Sequence, residues 1–98
     1  MKNKDKTLNS DAEIIKKARI LKALSNPIRL KIVCLLCEQL ITVNELLWQI
    51  GTTQSCISNH LKLLRKDILS YKKEANRVYY FIDNDEIRKI IALLNVYD

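Results

Sequence analysis

Apolar positions recur at helical spacing along most of the chain and turn strand-like only near residue 71. Ser10 followed by Glu13 reads as a capping box that opens a helix, with Ile14, Ala18 and Leu21 on one stripe. Ser25-Asn26-Pro27 interrupts the pattern. Pro27 suits the first turn of a second helix, with Asn26 as its cap. Ile28, Ile32, Val33, Leu35 and Leu36 carry that helix to about Glu38, apolar nearly all round, as a central buried helix requires. Thr42 and Glu45 form another S/T-x-x-E box ahead of Val43, Leu46, Leu47 and Ile50. Gly51 stops this short helix, being able to take a positive φ. Thr53 caps the next one, Gln54 to Lys66, whose apolar stripe is Ile57, Leu61, Leu64 and finally Ile68. Two short helices joined by Gly51-Thr52-Thr53 make a helix-turn-helix signature.

Beyond Leu69 the β-formers Tyr71, Val78, Tyr79, Tyr80, Phe81 and Ile82 flank Glu74-Ala75-Asn76, which predicts a hairpin with its tip there. Asp83 with Glu86 caps a last helix carrying Ile87, Ile90, Ile91 and Leu94. The expected fold is therefore mainly α with a small β-hairpin. Residues 1–10 are polar and aperiodic, so they are expected to form a disordered arm before one domain over 11–98.

Composition narrows the class. At 98 residues and 48% hydrophobic, the chain has material for one small core. One Gly and one Pro argue against a turn-rich sandwich or a disordered linker. No apolar run approaches the ~18 residues of a membrane span, and the N-terminus lacks the apolar segment of a secretory signal. Three cysteines, an odd count, fit free thiols in a reducing cytoplasm and not a disulfide framework.

The net charge of +6 is unevenly placed. Residues 54–81 carry +4 and residues 82–98 carry −2, which suggests a surface for a polyanion or else a solvated basic face. Opposite the apolar stripe of the fourth helix stand Gln54, Ser55, Ser58, Asn59 and Lys62. Gln and Asn can bond adenine bidentately, Ser several base edges, and Lys guanine or phosphate. The first turn of a recognition helix is where base contacts concentrate. Lys72, Lys73 and Arg77 flank the hairpin tip and are placed to straddle a phosphate backbone.

Three segments in order resemble the ArsR/SmtB family of winged-helix repressors. Residues 21–30 (LKALSNPIRL) are similar to its opening, residues 55–65 (SCISNHLKLLR) to its S-x-x-SxHLxxLR recognition helix, and residues 77–80 (RVYY) to the end of its wing. The resemblance implies a winged helix-turn-helix homodimer that represses an operon until an inducer lowers its affinity for an inverted-repeat operator. It further implies that the first and last helices form the dimer interface. His60 falls on the family's S-x-H-L histidine, which gives it a DNA-contacting or structural role.

The family's metal sites are not matched. Its arsenic and cadmium members carry E-L-C-x-C where this chain reads Glu45-Leu46-Leu47-Trp48-Gln49, and the histidine ligands of its zinc members have no counterpart in the last helix. No metal and no cofactor is therefore expected. Cys34 instead falls on the cysteine of the sulfide- and redox-responsive branch, the repressors resembling BigR, SqrR and HlyU. That branch places a second cysteine after a "VY" or "LY" in the last helix, where this chain has Asp98 after Tyr97. Cys34 is thus the expected sensing thiol, with Cys37 three residues on as its candidate partner. On a helix their Cβ atoms stand ~5–6 Å apart, too far for an unstrained disulfide but suited to a bridge lengthened by sulfur atoms. Soft-metal sensing by Cys34 and Cys37, and a winged helix that docks protein instead of DNA, are the alternatives. An enzyme is not expected: there is no Gly-rich phosphate loop and no nucleophile–base pair.

Overall fold

The computed structural model describes residues 10–94, so the expected N-terminal arm, apart from Ser10, and residues 95–98 lie outside it. Five helices and three short strands follow in order: α1 (Asp11–Leu24), α2 (Pro27–Glu38), β1 (Ile41–Thr42), α3 (Val43–Ile50), α4 (Gln54–Leu64), β2 (Ser70–Glu74), β3 (Arg77–Phe81) and α5 (Asp85–Leu94). The caps are side-chain oxygens taking up the orphan N–H groups of each first turn. Ser10 Oγ accepts from the Glu13 N–H, and Asn26 Oδ1 accepts from Ile28 and Arg29 with Pro27 at the first helical position.

Helix α2 is central, as its all-round apolar sequence requires. It packs on α1, α3, α4, α5 and β3. Ile32, Val33 and Leu36 are wholly buried there, alongside Leu46, Ile57, Leu64, Ile82 and Ile87. Each such side chain stabilises the fold by ~1.5–3 kcal/mol, and no polar or charged residue is buried among the described residues.

Several expectations are corrected. The hairpin is not alone: Ile41 and Thr42 pair antiparallel with Tyr80 and Tyr79, making a three-stranded sheet in the order β1-β3-β2. The turn is tighter than expected, since Glu74 already pairs with Arg77, which leaves Ala75 and Asn76 at the tip with Ala75 at φ +55°. Helix α4 ends at Leu64 instead of Lys66. The Leu64 carbonyl accepts from both Ile68 and Leu69, and this turn still delivers Ile68 to the core. The cap of α5 is Asn84 and not Asp83: Asn84 Oδ1 accepts from Glu86 and Ile87, while Asp83 accepts from the Ser70 hydroxyl. Helix α1, by contrast, buries Ile20 and Leu24 and turns the Ile14/Ala18/Leu21 stripe outward, where the dimer contact implied by the family resemblance would need it.

Charged side chains tie the periphery to the core. Arg19 grips Asp67 with two parallel N–H···O bonds of 3.0 and 3.1 Å, fixing α1 to the segment after α4. Lys17 bonds Glu86, which sets α1 beside α5. Arg88 makes the longest reach: it donates twice to the Ile82 carbonyl and once, at 2.7 Å, to the Cys37 carbonyl. It thereby satisfies a last-turn carbonyl of α2 that has no partner inside the helix.

Candidate nucleic-acid interface

The α3–turn–α4 unit is held by local chemistry. Thr42 and Glu45 form the reciprocal capping box, in which Glu45 Oε1 accepts from the Thr42 N–H and Thr42 Oγ1 from the Glu45 N–H. These bonds to Thr42, with the nearby Arg77 charge adding to them, hold the Glu45 carboxyl below the usual carboxylate range. Gly51 ends α3 at φ +74°, a conformation costly for any residue with a Cβ. Thr53 Oγ1 then accepts from the Cys56 N–H to start α4.

Burial of Ile57, Leu61 and Leu64 fixes the roll of α4. The opposite face is left in solvent, and Gln54, Ser55, Ser58, Asn59 and Lys62 are all exposed there. Gln54 and Ser58 share a groove of about 680 Å³ with Asn76, Arg77 and the start of α3. The first turn of α4 and the hairpin tip thus form one continuous polar face. Lys72 and Lys73 are exposed on successive positions of β2, so they point to opposite faces of the hairpin. Lys72 makes an exposed 3.6 Å pair with Glu74.

His60 stands apart from this face. It is half-buried, with Nδ1 3.4 Å from Arg29 Nη1, and burial followed by the Arg29 charge holds its pKa below the ordinary histidine value. Arg29 in turn donates to the Ala23 carbonyl at the end of α1. His60 is therefore placed to join α4 to the α1–α2 corner.

Cys34 and Cys37 are half-buried against the core, less enclosed than the sequence implied. Burial pushes both thiols up. Glu38 adds to the shift at Cys34, and at Cys37 the Arg88 charge opposes it without reversing it. Arg88 links this pair to the end of β3, a connection absent from the sequence reading. Also missed were Asn76 at the groove, Arg65 and Lys66 beyond Lys62, and Trp48, which is 87% exposed on the outer face of α3. The charge count over residues 54–81 contained Arg65 and Lys66; nothing local marked Arg88 or Trp48. Among the described residues no three His, Cys, Asp or Glu side chains group to hold a metal, and no helix is long and apolar enough to cross a membrane.

A recognition-type helix projecting beside a small β-wing, both seated on a helical core, defines a winged helix-turn-helix protein. The chain belongs to the ArsR family of bacterial regulatory proteins, whose family model matches residues 26–67. It is 38% identical over 77 residues to the transcriptional activator HlyU of Vibrio cholerae, spanning 78% of this chain and 71% of that one. The structure of PagR, a transcriptional repressor of Bacillus anthracis, superposes with a TM-score of 0.82 at 31% identity, over 88% of this chain and all of that one. A homodimeric winged helix-turn-helix DNA-binding domain from Mycobacterium bovis gives 0.79 at 26% identity, covering 96% and 86% of the two chains. The protein is thus a transcriptional regulator of this family.

Proposed function

We propose that this regulator is a homodimeric repressor that reads an inverted-repeat operator and is released by thiol chemistry at Cys34. The observation that carries the DNA reading is the single exposed face shared by Gln54 and Ser58 on α4 and Asn76 and Arg77 on the wing. Gln54, Ser55, Ser58 and Asn59 read base edges from the first turns of α4, and Lys72, Lys73 and Arg77 bind phosphates. The dimer is supported by the outward apolar residues Ile14, Ile15 and Leu21 of α1 and Leu93 and Leu94 of α5, on helices that the Lys17–Glu86 pair sets side by side. With half-sites about one helical turn apart, both recognition helices enter the same side of the duplex.

Release begins when the Cys34 thiolate attacks a sulfane sulfur of an inorganic polysulfide. A Cys34 S–S bond forms, an S–S bond of the polysulfide breaks, and a shorter polysulfide leaves with the electron pair. The added sulfur enlarges a half-buried side chain that packs against the core on α2, the helix against which α4 is seated. Cys37 is the candidate second thiol. Soft-metal sensing by the pair is less well supported, because no third ligand joins them among the described residues. The test is operator binding before and after polysulfide treatment, with mass spectrometry of Cys34. Wild type should gain sulfur on Cys34 and release DNA, and Cys34→Ser should do neither. Normal release by Cys34→Ser would refute the thiol switch.

A further inference from the structure

A second groove, of about 610 Å³, lies between the end of α4 and the start of β2. Its walls are Lys62, Arg65, Lys66, Leu69, Ser70 and Tyr71. We propose that this groove binds a backbone phosphate of the DNA strand bordering the major groove, with Arg65 as the principal contact and Lys62 and Lys66 beside it. The proposal rests on α4 being the recognition helix, and it adds a site to that reading.

Three features converge on a phosphodiester. Among the described residues, no carboxylate lies within ion-pair distance of the three cations. The adjoining acid, Asp67, feels the Lys66 charge but is held by both arms of the Arg19 fork, so Arg19 balances it and the three groove cations keep their excess of positive charge. Next, Arg65 is ordered in advance. Its guanidinium carbon sits 4.4 Å from the centroid of the Tyr71 ring, and Tyr71 leans on Tyr80, with ring centroids 6.0 Å apart. Tyr80 is itself in the core. A cation resting on a ring face keeps its in-plane N–H donors free, and that fork matches two phosphate oxygens. Less side-chain freedom is then lost when the phosphate arrives.

Reach is the remaining feature. Arg65 is seven residues beyond Ser58, which places it ~10.5 Å further along the helix direction at 1.5 Å per residue. The major groove is ~12 Å wide. With the first turns of α4 over the bases, the Arg65 end arrives at the bordering sugar-phosphate strand. Lys62, grouped with the base-facing residues from sequence, lines this groove together with Arg65.

The experiment uses a duplex selected by the wild-type protein from a random-sequence library and a scrambled duplex of equal length. Affinities are measured from 0.05 to 0.3 M salt for wild type, Arg65→Gln/Lys66→Gln and Tyr71→Leu. The proposed dimer presents two such grooves, so the double variant loses one phosphate contact in each; that should flatten the log–log salt slope by about 1.8 and weaken both duplexes by about thirtyfold near 0.15 M salt. Tyr71→Leu, which changes no charge, should weaken both severalfold. A wild-type slope retained by the double variant would overturn the proposal.

Scanning single methylphosphonates through the selected duplex tests the wild-type chain directly. Neutral linkages at the groove edge should weaken wild type more than the double variant, and equal sensitivity at every linkage would also overturn the assignment. Inorganic phosphate should compete no better than chloride at matched ionic strength; selective competition would give the groove to a free phosphate instead. Absence of any preference for the selected duplex would sink the operator reading while leaving the slope comparison valid on scrambled DNA. Preserved preference with an unchanged slope would sink the groove alone.

Discussion

Replacing Arg88 by Met removes three N–H donors at once and leaves the carbonyls of Ile82 and Cys37 without their protein partner. A hydrogen bond from a charged donor is worth ~1.5–3 kcal/mol net. The two sites differ, however. The bond to Cys37 lies in the exposed shell, where water replaces the lost donor, while the two bonds to Ile82 are partly buried. Counting the Ile82 carbonyl in full and the Cys37 carbonyl hardly at all, the loss is about 1.5–2 kcal/mol. For a domain of this length, 1 kcal/mol moves Tm by ~4–8 °C, so Arg88→Met should melt about 10 °C below wild type. The assay is thermal unfolding followed by circular dichroism at one fixed protein concentration, because assembly also shifts Tm. Arg88→Lys, a point charge that reaches one carbonyl, should fall between the two. A Tm for Arg88→Met within about 2 °C of wild type would refute the view that Arg88 clasps α2, β3 and α5 together.

Further outcomes follow from the caps and the surface ion pairs. Asn84→Ala should cost ~1 kcal/mol in urea unfolding, and Asp83→Ala clearly less, because Asn84 alone takes up the first-turn N–H groups of α5. Gly51→Ala should cost ~1 kcal/mol from backbone strain only, since an added Cβ meets nothing within 4 Å; a neutral result would contradict the left-handed end of α3. The Asp67 carboxyl is held below its ordinary pKa, first by its bond to Arg19. Its contribution is therefore complete above the unfolded value of ~3.9 and is lost as pH falls through the lower folded value. The stability gap between wild type and Asp67→Asn should accordingly be present at pH 7 and narrow as pH falls below ~3.9 and through the lower folded value.

Elements whose signals are local were legible in the sequence. Pro27 behind Asn26, Thr42 with Glu45, and Gly51 before Thr53 each set a boundary through chemistry within a few residues, and those boundaries hold. The roll of α4 was equally legible, because one stripe of Ile57, Leu61 and Leu64 leaves a single polar face. Features created by distant partners were not. Strand β1 has only two residues and forms because β3, some 38 positions later, offers Tyr79 and Tyr80. Helix α1 carries apolar residues on more than one face, so spacing alone could not choose between Ile14/Ala18/Leu21 and Ile20/Leu24; packing against α2 buries the latter. Asp83 and Asn84 are both good caps, and the Ser70 hydroxyl engages the first while leaving the second to the helix. Arg88 on Cys37 and Arg65 on Tyr71 likewise depend on tertiary approach, which no periodicity reports.

The central claim is that the exposed face of α4 with its wing reads DNA sequence. It is tested most directly by titrating the protein at 0.15 M salt against a library-selected inverted-repeat duplex and its scrambled counterpart, with wild type, Ser58→Ala and Asn59→Ala. Wild type should prefer the selected duplex by at least about a thousandfold, the usual margin of specific over non-specific binding. Each alanine variant should lose ~1–3 kcal/mol of that preference at one base position while keeping its affinity for scrambled DNA. Equal binding of both duplexes by the wild-type protein would contradict the account.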